Sequence, residues 1–305
     1  MPDRPSTFEP HRKRLQGIAY RMLGSRADAE DIVQDAYLRW HRAPTEEIRS
    51  PEAWLVTAVT RLCIDRLRAA RSEREAYVGP WLPEPIVSAA APPADASAEL
   101  ASSLSVAFLA VLERLAPEER AAFLLHEVFD NDYAEIAQIL GKSEAACRQT
   151  VSRARKRVRE DRPRVQVSET ARKVVIDRFV GALMSQDMNG LMQLLSEDVT
   201  WTSDGGGKAK AARKIIHGRE HVARFAIGVI GRNAAYMRVF PVQVNGEPGL
   251  ALYVGDRLIS ITSITTDGVS VLGVFSVLNP EKLQAVVRRD VVTTDVVTTG
   301  KGRSS

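Results

Sequence analysis

The sequence predicts a chain of three folded parts: two all-α domains followed by an α+β domain. Apolar residues recur at helical spacing between residues 7 and 75, and a second helical block ends in a helix-turn-helix pattern between Asp132 and Arg159. Past Asp198 the pattern changes to the alternation of β-strands. With 305 residues, 45% of them hydrophobic, the chain is long enough for several cores. We therefore expect a multidomain protein whose helices come first and whose strands come last.

Charge, cysteine and hydropathy patterns narrow the class of protein. Residues 142–164 contain nine Lys or Arg and three acids, so their local net charge of 9 − 3 = +6 exceeds the whole-chain net charge of +4. Concentrated positive charge favours one nucleic-acid-binding face. The two cysteines, Cys63 and Cys147, form no CxxC pair, which favours a reducing cytosol. No apolar signal core or run of about 18–20 apolar residues is present, so we expect a cytoplasmic protein without membrane attachment.

The helix-turn-helix pattern lies in the string DYAEIAQILGKSEAACRQTVSRARKRVR, which starts at Asp132. Gly141 interrupts the first helix, Ser143 is placed as the N-cap of the second, and Val151 returns an apolar side chain to the seam. Arg and Gln suit base edges in the major groove, and a cationic run suits phosphates. The alternative is a solvated basic helix in an ordinary bundle; the coincidence of turn, seam and charge favours DNA binding. The predicted DNA-facing residues are Arg148, Gln149, Ser152, Arg153, Arg155 and Lys156.

A helix from Asp28 to Trp40 carries an acidic face in the N-terminal block. Asp28, Asp31 and Asp35 share one edge, next to Gln34. Taken alone, these carboxylates could keep a helix soluble or dock a basic partner.

A basic helix follows, beginning at Ser50-Pro51. Arg61, Asp65 and Arg68 lie on its outer side, and a polar loop from Arg42 to Ser50 precedes it. Such a helix could lie along DNA while the loop receives an unstacked base. Arginines that only solubilise or cap the helix are the alternative.

The strings DAEDIVQDAYLRW and SPEAWLVTAVTRLCIDRLR, followed by the helix-turn-helix, resemble a bacterial extracytoplasmic-function sigma factor. The resemblance implies that residues 7–75 bind core RNA polymerase and the −10 promoter element, and that residues 102–164 bind the −35 element. It implies polymerase contacts for the acidic face: Asp28, Asp31, Gln34 and Asp35. It further implies that Arg61, Asp65 and Arg68 handle the melted −10 strand. The implied partners are core RNA polymerase and promoter DNA.

Residues 76–101 form a Pro- and Ala-rich stretch without helical period, which we interpret as a linker. It contains Trp81-Leu82-Pro83-Glu84-Pro85, a stiffened segment suited to docking on another surface. A spacer with an incidental Trp is the alternative.

Residues 165–289 are predicted to form the α+β domain, with candidate strands at 236–244, 249–254, 257–265 and 269–277 after two helices and a helix near 220–230. A four-strand meander on helices resembles the cone-shaped SnoaL-like fold shared with nuclear transport factor two and ketosteroid isomerase. We expect residues 290–305 to be a disordered tail.

Two further motifs identify a subgroup. One is the glycine loop of Asp204, Gly205, Gly206 and Gly207, and the other is the capped helix start containing Asn279, Pro280 and Leu283. With WLPEP, they are similar to the signature motifs of sigma-J-like factors that carry a fused SnoaL-like domain. The resemblance implies that this domain regulates the sigma factor in cis, through contacts among the three motifs.

Two other functions compete with this interpretation. An operator-binding regulator with a ligand-sensing C-terminal domain would share the helix-turn-helix, and a cone-shaped domain could also retain catalysis. The polar candidates for catalysis are Asp204, Tyr236, Asp256, His217 and His221, whose spacing defines no catalytic pair. No metal-ligand spacing or phosphate-loop pattern is present, so we expect a non-enzyme without cofactor or metal. A small-molecule ligand in the C-terminal domain is a further expectation, without a named ligand.

Overall fold

The computed structural model describes residues 4–44, 48, 50–88, 105–161, 167–231 and 237–286. The chain divides into two compact units. A helical unit combines Met1–Ala76 with Leu109–Pro163, and a C-terminal unit combines Tyr77–Phe108 with Arg164–Ser305. The predicted tail at 290–305, the linker residues 89–101, and Tyr236 lie outside the described residues.

The described helices of the N-terminal half include the one predicted at Asp28–Trp40 and the one predicted to begin at Ser50-Pro51. They are α1 (Arg4–Phe8), a 3-10 turn (Glu9–His11), α2 (Arg12–Leu23), α3 (Arg26–Arg42), α4 (Pro51–Ala69), α5 (Arg71–Glu75), α6 (Val106–Leu112), α7 (Pro117–Glu127), α8 (Tyr133–Leu140) and α9 (Glu144–Asp161). Local chemistry sets several ends. The Ser50 hydroxyl accepts a hydrogen bond from the Ala53 amide at the start of α4, and Pro51 follows at the first helical position. Gly24 ends α2 at a φ of 66°.

The two all-α parts that the sequence separates are packed together in one unit. Arg120 of α7 is 3% exposed; its Nη1 donates to the carbonyl oxygen of Met22 at 2.6 Å and pairs with Glu113 at 2.6 Å. Arg14 of α2 donates to the Phe129 carbonyl at 3.2 Å. The buried guanidinium of Arg120 is stabilised because its Nη1 meets both a carboxylate and a backbone carbonyl.

The C-terminal unit contains helices α10 (Glu169–Met184), α11 (Met188–Leu194), α12 (Arg219–Gly231) and α13 (Pro280–Leu283). Its strands are β1 (Val87–Ser88), β2 (Leu195–Asp204), β3 (Ile216–His217), β4 (Met237–Val244), β5 (Glu247–Val254), β6 (Arg257–Thr266) and β7 (Val271–Val277). In the described residues the sheet order is β1-β4-β5-β6-β7-β2-β3, with β2 and β7 parallel and the other pairs antiparallel.

The predicted meander is confirmed as β4 to β7, but the sheet is wider than predicted. Strand β2 returns beside β7, and β1 comes from the linker and extends the β4 edge. One sheet face packs on the helices, where Trp201 meets Phe225 edge-on with ring centroids 5.4 Å apart. The result is the expected α+β domain, with helices α10 to α12 packed on one face of the sheet.

Candidate nucleic-acid interface and linker-binding site

Local backbone signals form the helix-turn-helix. At the start of α8 the Glu135 amide donates to Asp132 Oδ1 at 2.8 Å, and the Asp132 amide donates to Glu135 Oε2 at 3.1 Å. Gly141 ends α8 in the left-handed region at a φ of 64°. The Ser143 hydroxyl then accepts from the Ala146 amide at 3.2 Å and starts α9. The turn that the sequence predicts is therefore present.

The buried side of α9 fixes which side faces outward. Cys147, Val151 and Ala154 are fully buried against the seam that Ile136 and Ile139 supply from α8. Leu140, four residues after Ile136, is only half-buried. The opposite side carries the predicted DNA-facing residues; Arg148, Gln149, Ser152, Arg153 and Lys156 are exposed, whereas Arg155 is half-buried.

Several arginines of α9 are held by neighbouring carboxylates. Arg148 pairs with Glu144 at 2.7 Å, and Arg157 pairs with Glu119 at 2.7 Å. Arg155 pairs with Glu127, and this hydrogen bond raises the pKa of the Arg155 guanidinium above its usual value. These pairs restrict the arginine side chains while leaving their outer edges accessible, an arrangement that suits contact with a phosphate backbone or base edges.

Three of the predicted polymerase contacts are exposed on α3: Asp31, Gln34 and Asp35. Asp28 differs, because its Oδ1 accepts from Arg66 Nε of α4 at 3.0 Å, and this hydrogen bond raises the pKa of the Arg66 guanidinium. A side chain bonded to its own domain contributes less to a partner surface. The acidic face that remains consists of Asp31 and Asp35, next to Gln34, and not of the three aspartates that the sequence suggests.

The predicted −10 residues lie on α4, where two of them contact the helix-turn-helix half of the unit. Arg61 donates from Nε to the Ile139 carbonyl at 2.9 Å and from Nη2 to the Gln138 carbonyl at 3.1 Å. These carbonyls belong to the last turn of α8, where backbone acceptors lack helical partners, so Arg61 acts as a C-cap. Arg68 pairs with Glu118 at 2.5 Å and with Asp65 at 3.7 Å.

Glu118 connects α4 to the turn before α9, because its second carboxylate oxygen pairs with Lys142. The hydrogen bond from Lys142, with the nearby charge of Arg68, holds the pKa of Glu118 below its usual value. The preceding loop is described only in part, since residues 45–47 and 49 lie outside the described residues.

Asp204, at the end of β2, is the centre of a second site, where the C-terminal unit binds its own linker. The Asp204 side chain is fully buried, and its carboxylate accepts from the Tyr77 hydroxyl at 2.6 Å and the Leu82 amide at 2.8 Å. Lys282, 9% exposed at its side chain, donates to the carboxylate at 2.6 Å and to the Leu82 carbonyl at 2.5 Å. A buried carboxylate is tolerated here because a cation and two further donors surround it.

Aromatic linker residues cover this ion pair. The Lys282 ammonium lies 3.9 Å from the centroid of the Trp81 ring and 5.1 Å from that of the Tyr77 ring. Asn279 caps α13 by accepting from the Glu281 amide and donates through Nδ2 to the Tyr77 hydroxyl at 2.9 Å. Within the WLPEP segment, Leu82, Pro83 and Pro85 are buried, whereas Trp81 and Glu84 are half-buried.

The glycine loop is shaped for close approach of the linker. Gly206 and Gly207 have φ values of 57° and 72°, which L side chains rarely adopt. A β-carbon on Gly206 would clash with Asn279 and lie 2.7 Å from the Tyr77 hydroxyl oxygen. One on Gly207 would lie 3.2 Å from the Val78 β-carbon. Glycine is therefore required by both the backbone conformation and the space.

The far end of the linker joins the sheet. Ile86 donates to the Asn245 side-chain oxygen at 3.0 Å, and the Asn245 amide donates back to the Ile86 carbonyl at 2.7 Å. Val87 and Ser88 then pair with Val244 and Gln243 of β4. The linker is thus attached at two places, the Asp204 ion pair and the β4 edge.

Sequence reasoning missed several residues of these sites. Lys282 stands inside the recognised motif, but nothing in the sequence pairs it with Asp204. Tyr77 and Asn245 lie outside any motif, although Asn245 precedes Gly246 at a turn and has a φ of 55°. An Asn-Gly turn signal identifies the hairpin, but not the hydrogen bonds that its side chain makes.

Of the residues weighed for catalysis, the four that the structure describes are not assembled into an active site. Asp256 is exposed and pairs with Arg238 at 3.1 Å, His217 and His221 are exposed, and Asp204 serves the linker. No group of three or more His, Cys, Asp or Glu in the described residues could hold a metal ion. Among the helices that the structure describes, none is long and apolar enough to cross a membrane.

Comparison with known proteins agrees with this geometry. Family models for Sigma-70 region 2 and Sigma-70 region 4 match residues 7–73 and 105–158. The chain is 40% identical over 294 residues to the ECF RNA polymerase sigma factor SigJ of Mycobacterium tuberculosis, covering 91% of this chain and 92% of that protein. It is 29% identical to the probable ECF RNA polymerase sigma factor SigI of that organism, covering 91% and 94%. The crystal structure of M. tuberculosis SigJ matches with a TM-score of 0.71 and 39% identity, over 91% of this chain and 97% of that one.

Proposed function

Because the chain belongs to the extracytoplasmic-function (ECF) sigma factors of RNA polymerase, we propose how its residues divide that function. As a sigma factor it directs core RNA polymerase to promoters, and the polymerase carries out RNA synthesis. Helix α9 reads the −35 element, α4 contacts the −10 element, and the exposed acids of α3 bind core polymerase. The exposed face of α9, opposite the buried Cys147, Val151 and Ala154, is the observation that supports this assignment.

In the helical unit the two all-α parts are packed together, and this closed helical unit gives a physical reason for dependence on core polymerase. The −10 and −35 elements take their names from positions about 25 base pairs apart, which is about 80 Å along B-form DNA. Arg61, a −10 residue in this proposal, is bonded directly to α8 of the −35 reader. A unit closed in this way cannot span both elements, so core polymerase must open it for both elements to be read together.

The C-terminal unit regulates the sigma factor in cis by holding the linker. Asp204, which bonds to both Tyr77 and Leu82 while paired with Lys282, is the observation that supports this part of the proposal. A captured linker has less free length between the two promoter-reading parts, and free length sets their effective concentration on a promoter. Release of the linker would therefore change promoter engagement, and transcription reports the sign of that change.

Transcription in vitro tests the −35 assignment. Core polymerase with the full chain is assayed on promoters with intact and mutated −35 elements, comparing Arg148→Ala and Gln149→Ala with the unchanged protein. Each lost base contact should cost about 1–3 kcal/mol, or roughly 5- to 150-fold, on the intact element only. Arg224→Ala is the matched control, because Arg224 is likewise exposed and pairs with Glu220 four residues earlier. Transcription that survives both α9 changes would remove the assignment.

A duplex-binding assay of the free protein, together with the transcription assay, separates the rival function from the proposed one. An operator-binding regulator would bind a specific duplex tightly as the free protein and would not support initiation with core polymerase. A sigma factor should bind duplex promoter poorly alone and gain specificity with core. A small-molecule ligand or residual catalysis in the C-terminal unit stays a prediction that neither experiment requires.

A further inference from the structure

Tyr133, the first residue of α8, contacts an arginine of the recognition helix. The Arg148 guanidinium carbon lies 4.8 Å from the centroid of the Tyr133 ring. The His126 ring supports the tyrosine, with centroids 4.3 Å apart and planes tilted by 32°. One half-buried ring therefore contacts both His126 and Arg148.

We propose that Tyr133 is a positioning residue for promoter recognition, which it serves by orienting Arg148. This inference rests on the proposed role of α9 as the −35 reader. An arginine side chain loses substantial rotamer freedom when it binds DNA, and restraint before binding reduces that loss. Glu144 and the Tyr133 ring both restrain Arg148.

The position of Arg148 indicates which part of recognition Tyr133 affects. Arg148 lies near the N-terminus of α9, the end from which recognition helices reach base edges, so its orientation affects discrimination between sequences. Because the ring makes the contact with Arg148, a substitution that keeps the ring can be compared with one that removes it.

The experiment measures binding of holoenzyme, core polymerase with the full chain, to promoters with intact and mutated −35 elements over a range of salt concentrations. Tyr133→Leu removes the ring and should reduce discrimination by about two- to fivefold, the range expected for one exposed cation–π contact. Tyr133→Phe keeps the ring, so it should keep discrimination.

A comparison in the Arg148→Ala background separates positioning from general destabilisation. If Tyr133 acts through Arg148, Tyr133→Leu should reduce discrimination only when Arg148 is present. An equal loss of discrimination with and without Arg148, or unchanged discrimination in Tyr133→Leu, would overturn the inference. Loss of −35 discrimination in Arg148→Ala itself tests the proposed function separately, and thermal unfolding of each variant identifies failure to fold.

Discussion

Replacing Asp204 by Asn should release the linker from the C-terminal unit. Asparagine has nearly the same shape as aspartate but no charge, so Lys282 would lose its buried counter-ion. The side-chain NH2 of the asparagine would also face hydrogen-bond donors at the place where a carboxylate oxygen of Asp204 accepts from them. Removing one partner of a buried ion pair costs about 3–5 kcal/mol. Asn retains one acceptor oxygen, so we expect a cost near the lower end, about 3 kcal/mol. That free energy corresponds to roughly a hundredfold increase in the equilibrium for detachment.

Amide hydrogen exchange across residues 77–88 measures this release. The Leu82 amide bonds to Asp204 directly, so the substitution alters its surroundings whether or not the linker detaches, and it is a weak reporter. The Ile86 amide is more informative, because it bonds to Asn245 and not to the altered residue. We expect protection at Ile86 to fall by about the same hundredfold if the linker detaches as one segment.

Two further variants, a matched control and a double change, test whether the effect comes from the buried ion pair. Asp256→Asn is the matched control, because Asp256 is 77% exposed at its side chain and its pair with Arg238 contributes little. The double change Asp204→Asn with Lys282→Met should cost less than the two single changes together, because no charge is left buried alone. Unchanged Ile86 protection in Asp204→Asn would refute this account of linker capture. Detachment that leaves promoter-dependent transcription unaltered would instead refute regulation through the linker.

Three other changes test separate parts of the structure. Gly206→Ala places a side chain at a φ of 57° against the linker, so it should weaken linker binding by more than 1 kcal/mol. Amide exchange in residues 77–88 should become faster, and an unchanged exchange rate would mean that the loop can move aside. Glu118→Gln weakens the ion pairs of Glu118 with Arg68 and Lys142 in the closed helical unit. In a gel assay, the affinity of the free protein for promoter DNA should rise, whereas that of holoenzyme should not. Unchanged affinity of the free protein would argue against opening as the limiting step. Asp31→Lys should lower affinity for core polymerase by about tenfold in a competition assay, an effect absent in Asp28→Asn if that residue serves only its own domain.

The helix-turn-helix could be predicted from the sequence because its signals are local. Asp132, Ser143 and Gly141 act on amides and carbonyls within a few residues of themselves, so their identities are enough to indicate where helices begin and end. The alternation of apolar residues likewise identified strands β4 to β7, since side chains on one face of a strand share one environment. Glycine at 206 and 207 indicated an unusual loop, but not which segment approaches it.

The tertiary structure decided which distant groups meet. The sequence shows that Lys282 and Asp204 are charged, yet only the fold brings them to 2.6 Å in a buried site beneath Tyr77. The same holds for Arg61, whose pattern suggested a DNA contact and whose donors meet carbonyls of α8. A charged side chain has many possible partners along the chain, and packing determines which of them it reaches. Helix ends and strands were therefore determined by the sequence itself, whereas the linker-binding site and the closed helical unit depended on the three-dimensional fold.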